Sequence, residues 1–401
     1  MCVQILKGCP RLFLVALSVV FPVVIPMVAQ GEEIRVSNRE QLARALQVAQ
    51  AGTTILIAPG QYEGGFHVRN LQGTASAPIV IAGEDTNNPP TILGGSNAFQ
   101  ISSARHLELR NFIVSGSTQN GLNLDDSGSP QTPAQDIVLR NLTVRNVGPE
   151  GNRDGIKLSG LQRFRIENCA VESWGSGGSA IDMVGCREGV IINCHFRDAR
   201  GEQANGVQAK GGTRDVAIQR CLFDRAGGRG VNVGGSTGLP YFRPEVQGFE
   251  AKDILVEDCE FREGGAAVAF VGVDGAIVRH NLILYPQRWV ARILQESVGP
   301  PFVPCRKGEF SNNVIVFSTD TLRSVLNIGG NTDAPSFRFA RNVWYCVDRP
   351  QETRRLVQLP SPEMEGSYTR NPIVTGSDER QPRIRRDLPH GAGIRDRQKE
   401  S

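Results

Sequence analysis

Four polar side chains recur at nearly even spacing in the middle of this chain: Lys157, Asp182, Gln208 and Asn232, at intervals of 25, 26 and 24 residues. Each sits between two apolar neighbours, as Ile156/Leu158, Ile181/Met183, Val207/Ala209 and Val231/Val233. Asp154, Asn205, Lys210 and Arg229 lie within a few positions of them. These types in this pattern can do three kinds of chemistry. Asn205, Gln208, Asn232 and Arg229 can bind a carboxylate by hydrogen bonds, with Lys157 as a further contact. A lysine, Lys157 or Lys210, can accept a proton once burial or neighbouring cations depress its pKa. Asp154 and Asp182 can instead hold Ca2+, since hard oxygen ligands suit it. The competing reading is a solvated face, in which Lys157 and Asp182 form a cross-strand ion pair worth under about 1 kcal/mol.

The elements that must position these residues follow from the same spacing. An apolar–polar–apolar triplet is a short strand whose side chains alternate between inside and outside. A period in the twenties with one such strand per copy is the signature of a coiled β architecture. Stacked strands lie roughly 4.8 Å apart, so the four polar residues should form one exposed ladder. A second sentence runs beside the first in nine copies, among them RNFIVSG, ENCAVES and NNVIVFS. It places Asn111, Asn141, Asn168, Asn193, Arg220, Asp258, Asn281, Asn313 and Asn342 at equivalent positions. Mostly Asn or Asp just before a strand marks a turn. The fold class expected is all-β: a right-handed parallel β-helix of ten or more coils over residues 31–350.

One step in this repeat is 38 residues long, and it places an insertion, Ser236–Ala251, directly after the Asn232 strand. Insertions in repeat folds commonly decorate the binding face. This one carries Tyr241 and Arg243, either of which can serve a leaving group beside the ladder. A later coil supplies Arg292, Gln295 and Glu296. Ahead of the coils, Ser37-Asn38-Arg39-Glu40 reads as a capping box. It opens a helix with Leu42, Ala45, Leu46 and Ala49 on one face, suited to cover the apolar end and strand edges of the first coil. Residues 351–401 lose the period and read as an irregular cover followed by a mobile tail, in which Arg380, Arg383, Arg385 and Arg386 alternate with acidic residues.

Across 401 residues the net charge is only +3, which gives no electrostatic reason to expect nucleic acid as a partner. Lys7 and Arg11 precede an apolar run from Leu12 to Val28, so residues 1–30 read as a cleaved secretory signal. The mature protein is then expected outside the cytoplasm, secreted, periplasmic or at the cell surface, as a monomer without a membrane span. Cys169, Cys194, Cys221 and Cys259 occupy one place in successive copies and should stack inward as small buried groups rather than pair as disulfides.

The stretch Ser37–Gly95 (SNREQLARALQVAQAGTTILIAPGQY, then GTASAPIVIAGE and PPTILGG) resembles the N-terminal region of the chondroitinase B and alginate lyase family. That resemblance implies a right-handed parallel β-helix, β-elimination as the activity and an acidic, uronate-containing polysaccharide as the partner. NGVQAKGGTRDV is similar to the family's catalytic-lysine segment, which implies Lys210 as the general base. The acidic calcium ligands that precede this lysine in the family are replaced here by Asn205, Val207 and Gln208. The chemistry needs the uronate carboxylate neutralised, a base for the C5 proton and stabilisation of the departing oxygen. Lys157 lies one strand from Asp182 and is neutralised as an ion pair. Lys210 has Val184 and Gly234 as column neighbours, no carboxylate in its own column and Arg229 on the next coil, so it is the expected base. Arg229, Tyr241 and Arg243 complete the candidate catalytic set. Neither the GHG of polygalacturonase-type hydrolases nor the DPHD of mannuronan epimerases occurs. The alternative is a non-catalytic glycan-binding or cell-surface scaffold that uses the same groove.

Overall fold

The computed structural model describes residues 31–374 and 383–395, so the segment read as an export signal and Arg380 lie outside the described residues. The chain winds into a right-handed parallel β-helix. Among the described residues its walls are parallel sheets of 13, 10 and 11 strands, each strand paired with its equivalent one coil on. No helix among the described residues is long and apolar enough to cross a membrane. The alternation read from the triplets holds. Ile156, Leu158, Ile181, Met183, Val207, Ala209, Val231 and Val233 are all fully buried, and each except Ala209 contributes about 1.5–3 kcal/mol. Aromatic residues stack along the same interior, Phe196 on Phe223 at 5.0 Å and Phe223 on Phe261 at 4.7 Å.

The turn residues explain how each coil closes. Asn111, Asn141, Asn168, Asn193, Arg220 and Asp258 all take the left-handed conformation, with φ of 52–60°. Asn and Asp tolerate that region better than other non-glycine residues. In the last three copies the turn falls one residue earlier, on His280, Asn312 and Arg341. The equivalence of Asn281, Asn313 and Asn342 with the earlier turn residues is therefore corrected by one position. These three asparagines instead continue the inward column of Cys169, Cys194, Cys221 and Cys259, all of which are buried free thiols. The Asn281 side chain accepts the Cys259 N–H at 2.9 Å and donates to Asn313 at 3.0 Å, and Asn313 donates to Asn342 at 3.0 Å. A polar side chain is stable there because each amide finds its partners in the coils above and below.

At the N-terminal end a helix spans Arg39–Val48, and its N-cap is Asn38, whose side chain accepts the Gln41 N–H at 2.9 Å. Gln41 in turn accepts the Ser37 N–H at 2.8 Å, so the reciprocal pair sits one residue later than Ser37/Glu40. Leu42, Ala45 and Leu46 join the core. The outer position in the 13-stranded sheet is held by the strand Glu33–Val36, not by the helix. At the other end, Glu363–Met364 adds a last short strand. Ile373, Ile384 and Leu388 then fold back over outward-facing Leu282, Leu284 and Val314, and Arg395 pairs with Asp258 at 2.6 Å.

Candidate functional site

The ten-stranded sheet carries the predicted ladder in the predicted register. Asn123, Lys157, Asp182, Gln208 and Asn232 stand on successive strands, and Lys210 follows Val184 in the column two residues on. The ladder is not an exposed face, however. Asp182 and Asn232 are each 0% exposed, and the side chains of Lys157 and Lys210 keep only 19% and 16% of their surface. The strands were read correctly, but what folds over them could not be. The long insertion lies across the turns that follow these strands. Arg243 donates its N–H to the Gly211 carbonyl at 3.2 Å, and a Cβ added at Gly185 would stand 2.3 Å from the Cβ of Arg243. Gly185 has φ +61°, so both its conformation and the close approach of the loop require glycine.

Glu250, fully buried, ties the insertion down. Its carboxylate accepts the Gly211 N–H at 3.0 Å, the Thr237 N–H at 2.8 Å, the Thr237 hydroxyl at 2.7 Å and the Ser297 hydroxyl at 2.7 Å. Phe242 meets Phe302 with ring centroids 5.6 Å apart, joining this loop to the next one. Glu250 and Phe302 went unnoticed in the sequence because nothing periodic marks them.

Beneath the loop the charges converge. The Lys157 ammonium contacts the Asp182 carboxylate directly and stands 3.5 Å from Asp154. Lys210 also reaches Asp182, at 3.5 Å, and stands 3.3 Å from the Gln208 side-chain oxygen. Lys210 has no carboxylate in its own column, as read, but the expectation that it is less paired is corrected: the diagonal to Asp182 is short enough for a long, flexible side chain to close. Asp154 accepts the Ser179 N–H at 2.7 Å. Burial, and then the neighbouring Asp182 charge, push the Asp154 carboxyl up to about 6, against the opposing pull of Lys157. Burial alone would lower Lys157, but Asp182 and Asp154 outweigh it and raise its pKa, so this ammonium is a fixed charge. A buried pair of this kind is also far from the surface ion pair worth under about 1 kcal/mol.

The groove continues into earlier coils that the triplet reading did not reach. His67 and Gln100 extend the central column below Asn123. Gln100 accepts from Asn123 at 2.6 Å and donates to Asp125 at 2.7 Å. With Lys157, Ser159 and Arg243 these residues line a cavity of about 440 Å3. Arg243 closes one side, its guanidinium 3.0 Å from buried Asp126. Burial raises the Asp126 carboxyl, and Arg243 pulls it back only in part. The signal for this extension was present: Leu122/Asn123/Leu124 is another triplet, hidden by a step of 34 residues to Lys157.

The remaining predicted residues divide. Arg229 is on the groove, donating to Asn232 at 3.1 Å and Glu296 at 3.0 Å, and Asn205 is buried beside it in register. Tyr241 is not brought to the cluster. It ends the short turn Leu239–Tyr241 with 67% of its surface exposed, because Phe242 rather than Tyr241 takes the buried position under the loop. Asp154 and Asp182 do not fit a calcium ion as they stand. The Lys157 ammonium lies between their carboxylates, and among the described residues no group of three or more acidic, His or Cys side chains could hold a metal. Calcium requires six to eight oxygens, whereas among the described residues the unpartnered buried side-chain oxygen is a single one, the second oxygen of Asp182.

Comparison with known proteins agrees with this architecture. Residues 120–287 match the family described as right handed beta helix region. An alginate lyase from Paenibacillus sp. str. FPU-7 is 17% identical, with a TM-score of 0.52 over 75% of this chain and 96% of that one. A PL6 family polysaccharide lyase from Pseudopedobacter saltans is 14% identical, with a TM-score of 0.54 over 90% of this chain and 99% of the other. A GH136 lacto-N-biosidase from Eubacterium ramulus is 13% identical, with a TM-score of 0.55 over 78% and 67%. No curated protein matches the chain at a significant level. At such identities the likeness is one of fold, and that fold carries lyases and a glycosidase alike, so chemistry must be argued from the site.

Proposed function

We propose that this protein is a polysaccharide lyase that cleaves a uronate-containing chain by β-elimination in the groove of the ten-stranded sheet. The observation that carries the reading is the convergence of Lys157 and Lys210 on one buried carboxylate, Asp182, beside the cleft that Lys157 and Arg243 line. Lys157, held charged by two aspartates, neutralises the uronate carboxylate, and Gln208 and Asn123 hydrogen-bond it. Lys210 accepts the C5 proton. The electron pair left behind forms the C4–C5 double bond as the C4–O4 bond breaks, and Arg243 stabilises the departing oxygen. No step is routed through calcium, because the Asp154/Asp182 pair does not fit one.

The test is incubation with alginate, pectate and glycosaminoglycans, read by the near-ultraviolet absorbance of unsaturated uronates. Product from one of them, abolished by Lys210→Ala, is the expected result. Binding across the panel with no product would replace the lyase with an exported glycan-binding scaffold. An active Lys210→Ala variant would remove Lys210 from the mechanism.

A further inference from the structure

Three strands beyond Gln208 on the same sheet, roughly 14 Å along the axis at ordinary strand spacing, the central column reaches Arg292. Here the groove changes character. Half-buried Trp289 carries three guanidinium groups over its ring: Arg292 at 4.3 Å, Arg288 at 4.6 Å and Arg323 at 5.9 Å. Arg229 stands two strands back at the same edge of the sheet. Two carboxylates answer these four cations: Glu296 pairs with Arg229 at 3.0 Å, and Glu202, largely exposed, pairs with Arg288 at 3.1 Å. Among the described residues Arg292 hydrogen-bonds an amide, Asn327 at 3.0 Å, rather than a carboxylate. Arg288 also leaves a buried Nε without a partner.

Cations gathered around one ring repel each other and gain from an anion placed among them. Burial first, then the nearby Arg229 charge, lower the Arg292 guanidinium to about 10, with Glu296 opposing. The indole offers an apolar face of the kind on which a sugar ring packs. The adjoining cleft of about 560 Å3, lined by Arg200, Arg225, Arg288 and Arg323 together with Glu202 and Glu263, leaves room for a chain to pass.

We propose that Trp289 with Arg288, Arg292 and Arg323 forms a second anion station, which receives a carboxylate or sulfate group further along the polysaccharide chain held in the groove. The assignment of its occupant as the same acidic polymer rests on the lyase reading; the station itself does not. Its role is retention of the polymer, not chemistry, so it should govern affinity for long chains and leave turnover of short ones alone.

Tryptophan emission provides the test. Of the three tryptophans, Trp174 and Trp344 are fully buried and Trp289 is half-buried, so emission that responds to a surface ligand comes from Trp289. The full chain is titrated with alginate, which has carboxylates only, and with dextran sulfate, which has sulfates only. Polymer binding is followed in parallel by affinity electrophoresis. The station predicts a saturable emission change with at least one polymer, absent from Trp289→Phe. It further predicts at least a ten-fold weaker Kd for that polymer in Arg292→Gln/Arg323→Gln, with turnover of a trisaccharide unchanged. The arm that responds names the anion. Polymer binding without any change in Trp289 emission, an unchanged Kd in the double variant, or no binding of either polymer would each overturn the station. An emission response without unsaturated product from alginate, pectate or glycosaminoglycans would leave the station standing and overturn the lyase reading, and product without a response would do the reverse.

Discussion

Asp154 offers the most direct measure of whether the buried cluster is arranged as described. Its carboxyl is raised from an ordinary 3.8 to about 6, first by burial and then by the Asp182 charge. A raised carboxyl binds its proton more tightly in the folded state than in the unfolded chain, so between about pH 4 and pH 6 the native protein holds the extra proton. Stability therefore falls as pH rises through that window, by about 3 kcal/mol from this residue alone. The rest of the protein changes with pH as well, so the informative quantity is a difference. Asp154→Asn keeps an oxygen for the Ser179 N–H, bonded at 2.7 Å, and cannot ionise. Urea unfolding of both proteins from pH 4 to pH 7 should show the variant gaining about 3 kcal/mol on the wild type as pH rises. The attraction to Lys157, 3.5 Å away, is already contained in this figure, because it is one of the charges that set the Asp154 pKa. A difference curve that stays flat between pH 4 and pH 7 would refute the argument, because it would mean that Asp154 ionises as readily in the fold as in water.

The other expectations are briefer. Protonation of Asp154 as pH falls through about 6 removes one negative charge from the cluster with Lys157 and Asp182, so affinity for an acidic polymer should rise from pH 7 to pH 5, measured by affinity electrophoresis. Lys157→Ala leaves Asp182 with Lys210 alone and should weaken both substrate binding and stability, the latter by about 3–5 kcal/mol as for a broken buried pair, read from KM and urea midpoint; an unchanged midpoint would contradict the pairing. Glu250→Ala removes four hydrogen bonds that hold the insertion. With hydrogen bonds to a charged group worth about 1.5–3 kcal/mol each at most, limited proteolysis should then cut within Ser236–Phe249, and persistent resistance would show that Phe242 packing suffices. Native protein should leave Cys169, Cys194, Cys221 and Cys259 unlabelled by a thiol reagent, and rapid labelling of all four would dismiss the inward stack.

How much of this was legible in advance depends on the range of the interaction concerned. Strand alternation and the repeat step are local properties, so the coil, the inward cysteines and the column from Lys157 to Asn232 follow from the residues themselves. A parallel β-helix places one strand over its equivalent in the next coil, which turns sequence spacing into spatial register. That is why Lys157–Asp182 and Val184–Lys210 were found where the spacing put them. The turn in the last three copies moved by one residue because His280, Asn312 and Arg341 adopt the left-handed conformation while Asn281, Asn313 and Asn342 face inward. An Asn can do either, and only its neighbours decide.

Tertiary structure decided the rest, and it did so wherever an irregular segment folds over a regular one. The insertion has no period, so its sequence could say that it stands beside the ladder but not that Arg243 would lie across Gly185 toward Asp126 while Tyr241 points away. Burial of Asp182, and with it the upward shift of Asp154, depends on what covers the strands, which register does not determine. The reach of Lys210 to Asp182 depends on four flexible methylenes, whose direction is set by the surrounding charges. Sequence alone thus determined which residues share a face. Only the packed chain determined which of them are withdrawn from water, and burial is what converts a row of polar side chains into a charged site.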